Sequence, residues 1–173
     1  WREFWRHCIG TAIMTREVIN AVQVPPDEAD YVAGLIHDVG KIIMASTFSE
    51  HFAEVQRLVG PSGRELVEVE EFVLGINHCD LGALYLQHHR LPDIMIETAK
   101  FHHAPASAQH HGPIVAAVQI ADLLVRHAKI GVSGNPSQVL DDSWLDAPGW
   151  SILFKNQDDE HKRIARASMQ RSL

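Results

Sequence analysis

The stretch Tyr31-Val32-Ala33-Gly34-Leu35-Ile36-His37-Asp38-Val39-Gly40-Lys41 sets an apolar run of helical spacing directly against a histidine, an aspartate and a lysine. His37 and Asp38 are adjacent, so on a helix their side chains point about 100° apart. Neighbours that diverge in this way can hold one metal ion from the side. Alternatively, one bridges two ions while the other holds one of them. Lys41 lies one turn beyond Asp38 on the same face, where its ammonium can meet an anion bound to the metal. Gly34 and Gly40 allow close backbone approach where side chains would crowd a ligand. Taken alone, the dipeptide is equally consistent with a surface pair near a helix end.

Outward from this stretch, apolar residues recur at three- and four-residue spacing, and no sustained alternating run demands a strand. The expectation is an all-α chain. A first helix runs from about Trp1 to Val22 and stops before Pro25-Pro26. A second starts near Asp27, is interrupted by Gly40 and continues through Lys41 to Ala45. A third covers Ser49 to Val59 and ends at Gly60-Pro61. Ser62 followed by Glu65 reads as a capping box for a fourth helix, which ends near Gly75. A fifth spans about Asp80 to His89, and Pro92 opens a sixth. His110 to Pro113 is a connection, and Ile114 to Ile130 form a strongly apolar seventh helix. Gly131 to Gly149 reads as loop with a short helical piece, and a charged last helix covers about Gln157 to Gln170. The expected organisation is a helical metal-binding domain over residues 1–130. Residues 131–173 form an extension that packs on it or links it to another module. Trp1-Arg2-Glu3-Phe4-Trp5-Arg6-His7 reads as the inside of an amphipathic helix with no cap in front. That start suggests a chain excised from a longer protein, or one that has lost a disordered beginning.

Composition excludes several classes. The chain has 173 residues, enough for one domain with a sizeable core. Its apolar fraction of 46% is that of a globular protein rather than a disordered one. Neither a transmembrane run nor a signal peptide is visible. Cys8 and Cys79 are too few for a disulfide framework, which fits a reducing, cytoplasmic setting. Both follow a histidine directly, but two soft ligands make no zinc-finger set. A net charge of −7 offers nothing to nucleic acid or to an anionic membrane. The twelve histidines are the unusual count, and histidine is the commonest metal ligand.

Five further places supply candidate ligands. His7 lies in the first helix with Glu3 one turn earlier on the same face. His78 stands at a helix entrance, and His102-His103 is a doublet ending the sixth helix. Asp122 sits inside the apolar run Val115 to Val125, where an unpaired carboxylate would be costly. It therefore needs a metal, or a hydrogen-bonding partner in a neighbouring helix.

The order His7, His37-Asp38, His78, His102-His103, Asp122 resembles the HD superfamily of metal-dependent phosphohydrolases. Within it, Tyr31 to Lys41, Glu71 to Leu84 (EFVLGINHCDLGAL), Leu91-Pro92, Phe101 to Pro105 (FHHAP) and Ile120 to Leu124 (IADLL) resemble the HDOD domain, the HD-related output domain of bacterial signalling proteins. The resemblance covers roughly Trp1 to Ile130. It implies an all-helical, HD-domain-like bundle, commonly attached to a receiver domain as in response regulators, and preceded by further helices in full-length examples. By position, Glu3, His7, His37, Asp38, His78, His102, His103 and Asp122 match the metal-ligand types of the related HD-GYP domains, which hydrolyse cyclic di-GMP. Lys41 matches their active-site lysine. Ala104-Pro105 departs from them, standing where those proteins carry an acidic residue and then Gly-Tyr-Pro, and this argues against cyclic di-GMP as substrate.

If the domain is active, the resemblance implies two divalent ions. Imidazole and carboxylate ligands suit iron, manganese, zinc or nickel without choosing among them. Asp38 is the natural bridge, with His7, His37 and Asp122 around one ion and His78, His102 and His103 around the other. Asp38 and Lys41 then carry the catalysis, Lys41 by offsetting charge on a phosphoryl oxygen. Glu3 is an extra ligand or orients His7, and Glu71 is close enough to orient His78. The expected function is phosphoester hydrolysis in bacterial signal transduction. The alternative is a non-catalytic output module that binds a signalling protein or a nucleotide. Neither nucleic acid nor membrane is expected as a partner. His51, His88, His89, His110, His111, His127 and His161 read as surface residues.

Overall fold

The computed structural model describes residues 1–25 and 27–173; Pro26, half of the expected Pro25-Pro26 stop, lies outside the described residues. All regular structure among the described residues is helical, as the spacing of apolar residues predicts. No helix among them is long and apolar enough to cross a membrane.

The long helix α1 (Arg2–Ala21) is the axis of the fold. It packs on α2 (Glu28–Ile36), on α8 (Gly112–His127) and on the last helix, α10 (Asp159–Ser172). Met14, Val18 and Ile19 of α1 and the capping Val22 share one core with Ile120, Leu124 and Val125 of α8. A second layer is built by α3 (Val39–Thr47) against α6 (His78–His88), and by α6 against α7 (Asp93–Phe101). To one side, α4 (Ser49–Ser62) and α5 (Leu66–Leu74) form a hairpin around Val55, Val59, Leu66 and Val69. Asp27 opens α2 with a reciprocal capping box, in which its side chain accepts from Ala29 N while Asp30 accepts from Asp27 N at 2.8 Å.

The chain departs from the sequence expectation at several joints. The break between α2 and α3 falls at His37-Asp38, and Gly40 lies inside α3. Gly40 is there because α3 touches α6: a Cβ on it would stand 1.8 Å from the His78 carbonyl oxygen. Gly34 has the same role toward α1, where a Cβ would fall 2.8 Å from Ala12 Cα. Both glycines therefore admit helices, whereas the expectation was that they make room for a ligand. Helix α4 runs through Pro61 to Ser62 and ends at Gly63, whose φ is +65°. Ser62 does not cap the next helix. Its hydroxyl donates back to Val59 O and accepts from Arg64 N, so it closes α4 instead. Helix α6 begins earlier than expected because Asn77 caps it, accepting from Asp80 N at 2.9 Å.

Residues beyond 130 fold back over the rest. Trp144, Phe154, Ala165 and Met169 enter the same core as α1 and α8, and α9 (Pro148–Leu153) packs on α8. The loop between α8 and Ser143 crosses the start of α1. Val132 N donates to Glu3 O at 3.0 Å, and Gly131 with φ +71° approaches the α1 backbone closely. A Cβ at Gly131 would stand 2.3 Å from Glu3 O.

Candidate metal centre

Four helices and the joint between two more aim their interior polar residues at one place. His7 projects from the buried face of α1, His37 and Asp38 occupy the break between α2 and α3, and His78 is the first residue of α6. His102 caps the end of α7, His103 follows it, and Asp122 projects from α8. His7, His37, Asp38, His78 and His102 are at most 1% exposed, and Asp122 is 5% exposed.

The ligand-type atoms sort into groups within 4.8 Å of one another: His7, His37 and Asp122 in one, His78, Cys79, His102 and His103 in another, with Asp38 joining His37 and His102 between them. The two oxygens of Asp38 divide the work. Oδ1 stands 3.3 Å from His78 Nε2 and 3.6 Å from His102 Nε2. Oδ2 faces the other way, 3.4 Å from His37 Nε2 and 3.9 Å from His7 Nε2. Asp122 Oδ1 closes the first group, 3.1 Å from His7 Nε2 and 3.9 Å from His37 Nε2.

The outer nitrogens fix the tautomers. His37 Nδ1 donates to Gly34 O at 2.7 Å, and His102 Nδ1 donates to Ala99 O at 3.0 Å. A carbonyl oxygen can only accept, so in each neutral ring the proton sits on Nδ1 and Nε2 is left as a bare lone pair. His78 Nδ1 lies 2.6 Å from Glu70 Oε2, which also accepts the His78 backbone N–H at 2.9 Å. Nε2 of His7, His37, His78, His102 and His103, together with Asp38 Oδ1, is buried without a hydrogen-bond partner. Buried polar atoms are rarely left unpaired. Convergent bare Nε2 atoms, with Nδ1 anchored behind them in His37, His78 and His102, suit a divalent ion. The donor set therefore fits one or more divalent metal ions.

Electrostatics agree with a site built to hold ionised carboxylates. Burial alone would raise the Asp38 carboxyl, but Lys41 and the surrounding imidazoles hold it well below the usual range. Lys41 Nζ donates to Asp38 Oδ2 at 2.6 Å and to Ser133 O at 3.1 Å. Burial would lower the Lys41 ammonium, but Asp38, then Asp122 and Glu70, keep it above its ordinary value. Burial would likewise raise Asp122, and His7, Arg126 and His37 outweigh it. Burial and the neighbouring His102 and His78 hold His103 well below the usual imidazole range, as a neutral ring. Cys8, beside the first group, is pushed up to about 12, chiefly by burial, and stays a thiol. Lys41 and Glu70 also line a cavity of about 380 Å³ whose walls include Phe4, Phe52, Leu66 and Val132.

Glu3 is the residue the geometry leaves out. Its carboxylate turns outward to Arg6 at 3.0 Å, with 48% of its side chain exposed. It therefore stands apart from the ligand groups that hold His7, although it precedes His7 by one turn. Glu71 does not orient His78 either; it accepts from Asn77 Nδ2 at 2.6 Å and so braces the cap of α6. Glu70 is the orienting carboxylate, and the sequence reading missed it. Arg126 was missed as well. Its guanidinium lies 3.4 Å from Asp122 Oδ2 and donates to Ser137 O at 2.7 Å. A basic residue four places after a buried aspartate on one helix was the available signal.

The family model of the HDOD domain matches residues 1–105, and the chain belongs to the HDOD domain family. An HDOD domain protein of unknown function from Geobacter sulfurreducens has the same fold, with a TM-score of 0.82 at 24% identity, covering 96% of this chain and 58% of that one. A Shewanella amazonensis SB2B protein named "Putative phosphohydrolase" aligns with a TM-score of 0.71 at 19% identity, over 96% of this chain and 58% of its own. An "Uncharacterized protein" of Treponema pallidum (strain Nichols) is 24% identical over 127 residues, which is 72% of this chain and 25% of that protein. The chain thus spans a quarter of that relative and somewhat over half of the two solved structures.

Proposed function

We propose that this chain is a metal-dependent phosphohydrolase domain, cleaving a phosphoester at a His/Asp di-metal centre in bacterial signalling. The observation that carries the proposal is the split carboxylate of Asp38, whose two oxygens face two separate sets of bare Nε2 atoms. Two ions held there would supply Lewis-acid activation of water and of a phosphoryl oxygen. The chain's own residues do the rest. His7, His37 and Asp122 form one half of the cradle, and His78, His102 and His103 form the other. Glu70 keeps His78 in register, as backbone carbonyls do for His37 and His102. Lys41, between Asp38 and the cavity lined by Phe4 and Phe52, offsets negative charge on a phosphoryl oxygen. The cavity walls suit the organic part of a phosphoester or nucleotide. The Shewanella neighbour named for a phosphohydrolase favours the same class. Residues 1–130 are taken as the HDOD unit and residues 131–173 as its extension; the core they share favours an extension that packs on the unit over one that only links it to another module.

The first test is elemental analysis of wild type and Asp38→Ala, followed by a phosphoester screen. The proposal expects at least one metal per chain, lost in Asp38→Ala, and turnover that depends on metal and on Lys41. Wild type that takes up no manganese, iron, zinc or nickel would refute it. A second reading, a non-catalytic signalling module that binds a partner protein, is favoured by one observation. Trp1, Trp5, Ile9 and Ile13 form an outward stripe along α1, 66%, 47%, 44% and 53% exposed. That reading expects partner binding to survive Asp38→Ala and to fail in Trp5→Ala or Ile13→Asp.

A further inference from the structure

Cys79 is the second residue of α6 and only 6% exposed. It takes no part in either apolar cluster of the fold. Its sulfur lies with ligand atoms of His78, His102 and His103 in a group whose members are all within 4.8 Å of one another. His78 is fully buried and His102 is 1% exposed, and the Nε2 atoms of both, with that of His103, have no hydrogen-bond partner. Three imidazoles, each with an unpaired Nε2, and a thiol therefore gather at one place.

We propose that Cys79 is a metal ligand, so that the two halves of the centre are chemically unequal. This rests on the metal-centre reading above. A zinc ion with Zn–S about 2.3 Å and Zn–N about 2.0–2.1 Å spaces tetrahedral ligand atoms roughly 3.3–3.6 Å apart. The group's outer limit of 4.8 Å lies above those separations, so ion binding would draw the four side chains together. The half made of His78, Cys79, His102 and His103 is then a soft imidazole–thiolate site, suited to zinc, cobalt or ferrous iron. The half made of His7, His37 and Asp122 has a carboxylate in place of the sulfur and accepts harder ions such as manganese. Cys8, although it follows His7 just as Cys79 follows His78, is in no such group. Binding releases the thiol proton to solvent, since only the thiolate is a ligand.

The test is cobalt(II) titration of metal-stripped wild type, Cys79→Ser, Cys79→Ala and Cys8→Ser, followed by absorption, with circular dichroism to verify folding. Wild type and Cys8→Ser should show visible ligand-field bands together with a near-ultraviolet sulfur-to-cobalt charge-transfer band. Both Cys79 variants should keep ligand-field bands from the remaining ligands and lose the charge-transfer band. In competition, Cys79→Ser should weaken zinc binding at the tighter site by more than the roughly 10–100-fold that loss of a supporting residue costs. Manganese binding should change far less. Wild-type ligand-field bands without a charge-transfer band, or a charge-transfer band that persists in Cys79→Ala, would overturn the inference and leave the metal centre standing. No cobalt spectrum in wild type would overturn both.

Discussion

Glu70→Gln separates the role of the buried carboxylate from that of its neighbour Glu71. Glu70 is fully buried, and its Oε2 accepts both the His78 backbone N–H and His78 Nδ1, at 2.9 and 2.6 Å. A hydrogen bond to an ionised group contributes roughly 1.5–3 kcal/mol and a neutral one about 1 kcal/mol. Both bonds end on the one oxygen Oε2, so the amide can keep them by placing its oxygen there, with its NH2 where the unpartnered Oε1 stood. Both bonds then lose their charge assistance, a net change of roughly 1–4 kcal/mol shared between the fold and the His78 orientation. The part that falls on ligation corresponds to a metal affinity reduced about 10–100-fold, the usual effect of losing the group behind a ligating imidazole. The assay is competition of the protein with a chromogenic chelator for zinc, with urea unfolding of metal-free protein beside it. Glu71→Gln, which touches only Asn77 in the α6 cap, should leave affinity within about twofold while costing about 1 kcal/mol of stability. Glu70→Gln with wild-type affinity, or Glu71→Gln with the larger loss, would refute the assignment of the orienting carboxylate.

Three further outcomes follow from the packing and charge of the fold. Gly40→Ala should cost at least about 2 kcal/mol in urea unfolding, because its Cβ meets backbone of α6 that cannot step aside; an unchanged midpoint would mean that α3 and α6 do not touch there. Met169→Ala should cost about 2–5 kcal/mol, since Met169 is fully buried against α1 and α8; a loss under 1 kcal/mol would detach α10 from the core. Glu97 governs acid sensitivity away from the metal centre. Burial would raise its carboxyl, but the backbone N–H groups of His111, His110 and Gln109 hold it below its ordinary value of 4.5. A depressed folded pKa means that its contribution is fully present above the unfolded value and is lost as pH falls through the folded one. Glu97→Gln should therefore lower stability at neutral pH and flatten the acid limb of stability against pH. Parallel wild-type and variant limbs below pH 4.5 would contradict that assignment.

The helices and the ligand types were readable because both impose strong local rules. Asp122 stood out because an apolar helix cannot hold a carboxylate without an opposite charge, a donor or a metal, and the structure supplies His7 and Arg126 beside it. Contacts set by the angle between helices were not readable. Glu70 and Glu71 are both acidic and precede His78 by similar distances, yet one step along α5 turns the side chain by about 100°. That rotation decides which of them enters the interior. Glu3 shares a helix face with His7, but at the outer end of α1 its carboxylate turns to Arg6, and it lines the cavity with Lys41 without joining a ligand group. Ser62 carried a valid capping pattern that lost to the left-handed Gly63, which closes α4 and leaves α5 to start without a side-chain cap. Trp144 and Trp150 read as folding back over the domain or serving a partner, and Trp144 does fold back, fully buried in the core it shares with α1 and α8.

The charge inventory of the interior ties the site to its ligand. At the site three buried carboxylates, Asp38, Asp122 and Glu70, face the buried Lys41 and the partly buried Arg126. Each of the two cations sits on a ligand carboxylate, and Glu70 pairs with His78. Both cations thus hold the cradle together before any ion arrives. Divalent ions would add positive charge to this balance. Once Asp38 and Asp122 are shared with metal, Lys41 is released from neutralising Asp38, and it already lines the cavity beside the centre. The pocket then becomes positive within a chain whose net charge is −7. On the proposed function, such a site would draw a phosphoester to one place on an otherwise repelling surface, and only in the metal-loaded state. Anion affinity should therefore require metal, and Lys41→Met should weaken it without abolishing metal uptake. A metal-free protein that binds phosphate as tightly as the loaded one would break this link between the cradle and its substrate.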